Sequence, residues 1–468
     1  MRTRVNRLFP MVLVCMATSP TWQVVRADPI DDYVAVEMAI NHLPGVALAV
    51  DRGGTVIKMA GYGLANMELN APVTRQSVFQ IQSVTKQFTA TAIMMLVEER
   101  KLSIEDNISK YLEGTPESWK EITIRHLLTQ TSGIKDFINE PTTSLRLEAR
   151  EEEIFKSLTD RPLDFAPGQK YAYSNSNYHL LAMVIRKLTG DAYGDFLRRR
   201  VFKPLKMQHT RIASWTELVP NRVAGYIWED NKLINGQFVA ESILAYGGGG
   251  IFSTIEDMSK WDLALRGEKL LKHSSLEQMW ARTKLNDGSY SNYGFGWGIG
   301  GQAPHSFVRH SGAHMTGFAT HIVRFLDDDL SVIVLLNSRN GDPSKMAQTI
   351  AGMYIPALKP PERKAIEDKD PKVTELLKQV ESMIRTGQLS QASLVPEMYQ
   401  VLSAALPEAG KVLKSVGLLT STELLNRKEL SDGQIEFLYR MRFEKGVLDA
   451  KLTLNKDLKI TGLNVEGE

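Results

Sequence analysis

Cysteine is nearly missing: 468 residues hold one, Cys15. A lone thiol can neither cross-link the chain internally nor assemble a cysteine-rich metal site. Apolar runs long enough to cross a bilayer are missing too. The stretch Leu8 to Ala17 is about half of the roughly twenty residues required. Charge of one sign is also scarce. The formal balance is +2, and Arg2, Arg4, Arg7 and Arg26 all precede the first acidic residue, Asp28, so the chain beyond them carries −2. That balance offers no basic surface for nucleic acid. The chain has no Gly-x-Ser-x-Gly elbow and no Gly-x-x-x-x-Gly-Lys phosphate loop, which excludes the signatures of α/β-hydrolases and of P-loop enzymes. Gly296-Trp297-Gly298-Ile299-Gly300-Gly301 spells a dinucleotide glycine pattern, but Gln302-Ala303-Pro304 follows where a helix is needed.

What is present reads as a globular protein, with 43% hydrophobic and 24% charged residues. Its length suits one large catalytic unit and a smaller companion. Arg2, Arg4 and Arg7, the apolar run to Ala17 and the exit Val25-Arg26-Ala27 predict an export signal over residues 1–27, cleaved after Ala27. Cys15 lies inside it, and Val12-Leu13-Val14 lacks the small residues that a lipid-acceptor cysteine wants before it. The expected location is therefore secreted or periplasmic, without stable membrane insertion.

Gly45 to Val50 and Thr55 to Ala60, joined across Gly53-Gly54, predict a hairpin. Phe88 to Val97 is apolar nearly all round, as in a helix buried inside a large protein. Helical segments are expected at 124–128, 145–157 and 178–188, the last closed by Gly190. Strands are expected at 307–310, 318–325 and 330–336, with Asp327-Asp328-Asp329 as a hairpin turn. Strands at both ends with helices between them predict an α+β fold over 28–354, its sheet closed by the two ends of the segment. Prolines and charges mark a linker at 355–372. A small C-terminal α+β domain follows at 373–468, with helices at 373–385 and 396–416. Its meander shows Ile435, Phe437, Tyr439, Met441 and Phe443 in strict alternation with more polar neighbours.

Ser-x-x-Lys places an amine beside a hydroxyl on one helical face, and the chain has two copies, Ser83 to Lys86 and Ser132 to Lys135. The first opens the buried helix after the strand-like Val78 to Ile81, where helix-start N–H groups can face negative charge. The second has Gly133 inside its turn, so Ser83 is the expected nucleophile. Tyr-x-Asn also occurs twice, at Tyr173-Ser174-Asn175 and Tyr290-Ser291-Asn292. A tyrosine hydroxyl can pass a proton and an asparagine amide can hold a carbonyl. The first copy, between Phe165-Ala166-Pro167-Gly168 and a helix, is the better placed. His310-Ser311-Gly312 sits on a predicted strand, where glycine would let a substrate backbone lie along the sheet edge. His305, His310 and His314 lack a carboxylate or cysteine at metal-ligand spacing, so no metal is expected.

In this order, Ser83-x-x-Lys86, Tyr173-x-Asn175 and His310-Ser311-Gly312 resemble the three active-site motifs of the serine β-lactamase family, nearest to class C enzymes and their esterase and D-peptidase relatives. The stretches His126 to Gly133, Gly249 to Thr254 and Tyr293 to Gly298 look like the family as well, and the likeness runs from about Asp32 to Arg339. It implies an antiparallel sheet flanked by helices plus a helical lobe, with the site between them and no cofactor. It also implies roles: Ser83 attacks a carbonyl, Lys86 and Tyr173 move the proton, and Asn175, His310, Ser311 and Gly312 bind substrate. The backbone N–H groups of Ser83 and Ala313 would form the oxyanion hole. Lys86 as base near pH 7 would need its pKa depressed by about three units; Tyr173 taking the proton is the other route. His310 stands where β-lactamases usually carry lysine, and a mostly neutral histidine favours esters or small D-amino-acid amides over efficient β-lactam turnover. The rival reading is a penicillin-binding or cell-wall-sensing protein that is acylated and stalls. The C-terminal domain is the expected contact for any cell-envelope partner.

Overall fold

The computed structural model describes residues 28–138, 144–230, 232–244, 246–359 and 363–467. The expected export signal and residues 360–362 of the expected linker lie outside these.

A seven-stranded antiparallel sheet runs in the order Gly298–Gly300, Phe307–His314, Phe318–Phe325, Leu330–Leu336, Gly45–Arg52, Thr55–Asn66, Ala71–Pro72. The early hairpin thus pairs with the late strands, Val46 opposite Leu336 and Arg52 opposite Leu330. Both faces of the middle strands are covered, which is why they read as continuous apolar runs rather than as an alternation. Val46, Leu48 and Val50 pack with Val332, Val334 and Leu336 against the helices Pro29–Ile40 and Pro343–Tyr354. Ala47 and Ala49 pack with Ile333 and Leu335 on the opposite face, in the core shared with the helical lobe.

That lobe is built round the helix Thr85–Glu98, whose residues 85–96 are all buried. Phe88 stacks on Trp261 at 4.0 Å and meets the edge of Phe202 at 5.8 Å, so truncating it to alanine is expected to cost about 3–5 kcal/mol. The helix Asn175–Thr189 packs beside it and ends at Gly190, whose φ of 73° is the left-handed cap that glycine adopts most readily. The helix expected at 145–157 is instead Glu151–Thr159. The Leu145 carbonyl accepts from the Ala240 N–H and the Ala149 N–H donates to Ser242 Oγ, so this backbone is tied to a distant segment rather than to a helical turn.

The C-terminal unit is a four-stranded meander, Leu419–Glu429, Ile435–Phe443, Val447–Leu454 and Ile460–Gly467, covered on one face by helices Pro371–Thr386 and Pro396–Ser415. Phe437, Tyr439, Met441 and Phe443 point into its core together, as their period of two requires. The first of these helices begins at Pro371, ahead of the expected start, with proline at the position whose N–H has no helical partner. The helix Pro29–Ile40 joins the two units: Val34 packs under the large sheet, and Val36 belongs to the C-terminal core.

Candidate active site

The short strand Phe79–Gln80 pairs with Ile251–Ser253 and aims the chain at the sheet edge. Gln82 then takes φ +51°, a left-handed conformation that costs a non-glycine residue on the order of 1 kcal/mol or more. Its buried amide donates to Gln80 Oε1 at 2.8 Å and to Thr316 Oγ1 at 2.9 Å, while Thr316 donates to Gln80 Oε1 at 3.0 Å. This closed triangle holds the bend. Ser83 follows in a single 3-10 turn, half-buried, directly ahead of the helix Thr85–Glu98.

One turn on, Lys86 is fully buried. Its Nζ lies 2.8 Å from Asn175 Oδ1, 2.7 Å from the Gly248 carbonyl and 3.2 Å from Ser83 Oγ. Burial pushes its pKa down to about 7, with the Asp136 carboxylate pulling the other way. A neutral amine has two N–H donors and one lone pair. The two carbonyl oxygens use both donors, so the lone pair is left facing the serine hydroxyl.

Tyr173 lines the cleft with 38% of its surface exposed, and its ring lies under Lys86 Nζ at 4.7 Å. Burial of its hydroxyl raises the pKa, and the neighbouring Ser83 hydroxyl works against that rise. At neutral pH it is a phenol. Its loop is held by Gln130, whose side-chain oxygen accepts from the Ser174 N–H at 3.0 Å and from Asn177 Nδ2 at 2.6 Å. Asn175 is not a free amide. It accepts from Lys86 and donates to Asp136 Oδ2 at 3.0 Å, so it bridges the lysine to a carboxylate.

The strand Phe307–His314 forms the other wall. Leu326 N–H donates to the Ser306 carbonyl, and antiparallel pairs alternate. Carried along the register, that alternation turns the backbone N–H groups of Ser311 and Ala313 away from the neighbouring strand Phe318–Phe325. On their side the strand Gly298–Gly300 reaches only as far as Arg309, so the Ala313 N–H lies on an open edge. A Cβ on Gly312 would sit 2.6 Å from the Ile81 carbonyl oxygen and 2.8 Å from Ser83 N. The Ser83 turn itself leaves no room for a side chain at this position. His310, on the same face, is buried. Its Nδ1 donates to the Ser311 carbonyl at 2.7 Å, which leaves Nε2 to accept from the Tyr293 hydroxyl at 2.9 Å. Burial lowers its pKa to about 3. Ser311 points to the opposite face, where its hydroxyl meets His321 Nδ1 at 2.7 Å; of the expected substrate-binding side chains, it is the one turned out of the cluster.

Comparison with known proteins agrees with this geometry. The family model described as β-lactamase matches residues 30–352. A penicillin-binding protein of Bacillus subtilis (strain 168) is 30% identical over 348 residues, covering 69% of this chain and 75% of that one. The chain belongs to the β-lactamase family. A D-aminopeptidase of Gluconobacter oxydans is 26% identical over 386 residues, 79% of this chain and 71% of the relative. Among solved structures, a penicillin-binding protein from Bacillus halodurans is 26% identical over 69% of this chain and 99% of that one, with a TM-score of 0.61. An octameric penicillin-binding protein homologue from Pyrococcus abyssi shares the fold across 94% of this chain and 98% of its own, at 20% identity and a TM-score of 0.61.

As a serine hydrolase of the β-lactamase family, the chain gathers Ser83, Lys86, Tyr173, Asn175 and His310 in one place, with Gly312 and Ala313 at its edge. Sequence reasoning missed Asp136, Tyr293, Gln82 and the Gly248 carbonyl. Asp136 directly follows the second Ser-x-x-Lys copy, where attention to the serine hid it. Tyr293 opens a stretch that looks like the family, a likeness that gave the residue itself no role. Among the described residues no group of three potential ligands gathers for a metal; His305 instead faces Asp328 at 3.0 Å.

Proposed function

We propose that this β-lactamase-family hydrolase is an exported enzyme that cleaves small esters and D-amino-acid amides through an acyl-enzyme on Ser83. The observation that carries the reading is the buried Lys86 amine, held by two carbonyl oxygens, 3.2 Å from the Ser83 hydroxyl. Lys86 takes the Ser83 proton as Oγ bonds to the substrate carbonyl carbon, and the carbonyl electron pair moves to oxygen. The N–H groups of Ser83 and Ala313 stabilise that oxyanion. As the intermediate collapses, the leaving group takes the proton from the Lys86 ammonium, directly or by way of the Tyr173 hydroxyl. Water then gives its proton to Lys86, attacks the acyl carbon and releases the acid, with Ser83 regaining its proton. Burial holds the proton on the Tyr173 phenol, so no phenolate is present at neutral pH to act as base, which favours Lys86 in that role.

Specificity follows from His310. With both ring nitrogens engaged and its charge suppressed by burial, it offers no cation to the carboxylate of a β-lactam. The D-aminopeptidase relative and a D-amino acid amidase among the fold neighbours support amides as substrates. Intact-mass measurement after a fluorophosphonate probe, with turnover of p-nitrophenyl esters and D-alanine amide, tests the reading in wild type and Ser83→Ala. Labelling at Ser83 with turnover is expected. An adduct that persists without turnover supports the acylated sensor, and undiminished labelling of Ser83→Ala refutes the assignment.

A further inference from the structure

The face of the C-terminal sheet away from its two helices borders a cavity of about 1420 Å³, closed on the far side by the helices Pro29–Ile40 and Pro343–Tyr354. Lys345, Lys359, Arg363 and Lys364 line it from one side, and Arg440, Lys445 and Lys451 from the sheet. Among the described residues, two acids share the lining, Glu436 and Asp449. Asp449 lies 3.7 Å from both Arg363 and Arg440, and Lys345 lies 3.8 Å from Glu37. Lys359, Lys364, Lys445 and Lys451 have no acidic partner among the described residues.

This concentration of charge runs against the rest of the chain. Residues 28–468 carry a formal −2, yet the seven basic and two acidic described residues of this lining sum to +5. Like charges gathered round a concavity repel one another and focus a positive potential into it, which destabilises the fold unless an anion enters. Lysine ammoniums act as point charges towards phosphate and carboxylate oxygens. The volume exceeds the roughly 300–1,000 Å³ of ordinary small-molecule sites, so it suits several linked charged units. Among the described lining residues Tyr33 is the one aromatic, and single-stranded nucleic acid relies on several such stacking surfaces.

We propose that this cavity binds a flexible oligoanion, a chain carrying phosphate or carboxylate groups at intervals, and so attaches the hydrolase to an anionic polymer while leaving the Ser83 cleft open. The test is titration calorimetry of the full chain with inorganic tripolyphosphate and with hexaglutamate, at about 50 mM and about 500 mM NaCl. Saturable one-site binding that weakens at least about tenfold at high salt is expected, and the tighter probe identifies the anionic group. The triple variant Lys364→Glu, Lys445→Glu, Lys451→Glu should lose at least about tenfold in affinity with ester hydrolysis unchanged. Lys203→Glu, Lys232→Glu, Lys269→Glu makes the same change in net charge away from the cavity and should keep affinity within about twofold. No saturable binding of either anion at low salt overturns the proposal. So does equal weakening in the two variants, or tighter binding of oligothymidylate than of both probes. Circular dichroism melts confirm that each variant is folded.

Discussion

Two Ser-x-x-Lys turns lie within fifty residues of each other, and they spend the same four-residue pattern in opposite ways. At Ser83 the lysine bends back to the serine, and Asn175 and Gly248 anchor it there. At Ser132 the lysine leaves for solvent and pairs with Asp164 at 3.0 Å. Ser132 donates to Asn177 Oδ1 at 2.5 Å and accepts from the Ile134 N–H. Gly133, at φ +79°, sits where a Cβ would be 2.1 Å from the Phe165 carbonyl oxygen. The second copy supports the first. Through Gln130, Ser132 and the Lys135 carbonyl, which accepts from Ser176 Oγ at 2.6 Å, it holds the segment carrying Tyr173 and Asn175. What separates the two copies is therefore the destination of the lysine.

The largest expected contrast is in the serines. Ser83→Ala should lower hydrolysis by about a thousandfold or more and abolish labelling. Ser132→Ala should keep the rate within about threefold but lose roughly 1–3 kcal/mol in urea unfolding, because Asn177 Oδ1 is left buried without its donor. Equal loss of rate in both variants breaks the comparison.

The lysines should differ next. Lys86 is charged in the unfolded chain below about pH 10.5 but resists charging in the fold until about pH 7. Wild type therefore carries a penalty that is absent above about pH 10.5, grows as pH falls to about 7, and is constant below. Lys86→Met removes that penalty along with the base. Its stability relative to wild type should improve by on the order of 4 kcal/mol between pH 10.5 and pH 7, while hydrolysis collapses. Lys135→Met should change stability by less than about 1 kcal/mol at either pH. A flat difference between Lys86→Met and wild type across this range shows that the lysine is not held neutral.

Catalysis should report the same group. Plotted against pH, kcat/KM should rise through one ascending limb near pH 7, the deprotonation of Lys86. No limb from His310 should appear above pH 5, since burial holds it neutral down to about pH 3. The smallest effect concerns Asp136, whose negative charge keeps Lys86 easier to protonate. Asp136→Asn should move the limb to lower pH by about one unit or less, and a shift to higher pH contradicts the bridge through Asn175.

Much of this was legible in the chain. The strand runs at 318–325 and 330–336, the buried helix after Ser83 and the stop at Gly190 follow from local periodicity and from glycine chemistry. The outward turn of Ser311 follows from the strand's alternation, though the motif grouped it with His310 and Gly312. Other features depend on distant partners. Asp164 draws Lys135 outward from beyond the next helix, and Tyr293 and the Ser311 carbonyl fix the state of His310. Asp136 acquires a role because Asn175, from the helix Asn175–Thr189, reaches its carboxylate. Such pairings arise from tertiary packing, which no window of sequence displays.

The helix Pro29–Ile40 has a consequence for assembly. It packs on Leu336, Met346 and Ile350 through one face and contributes Val36 to a core completed by residues 373–460. Its contacts are thus among the most distant in sequence, and loop closure of that length slows folding. The partners of this helix, and of the Gly45–Arg52 strand beside it, come from the far end of the chain. The helix and the central sheet therefore consolidate only when strands and helices from the far end of the chain are present.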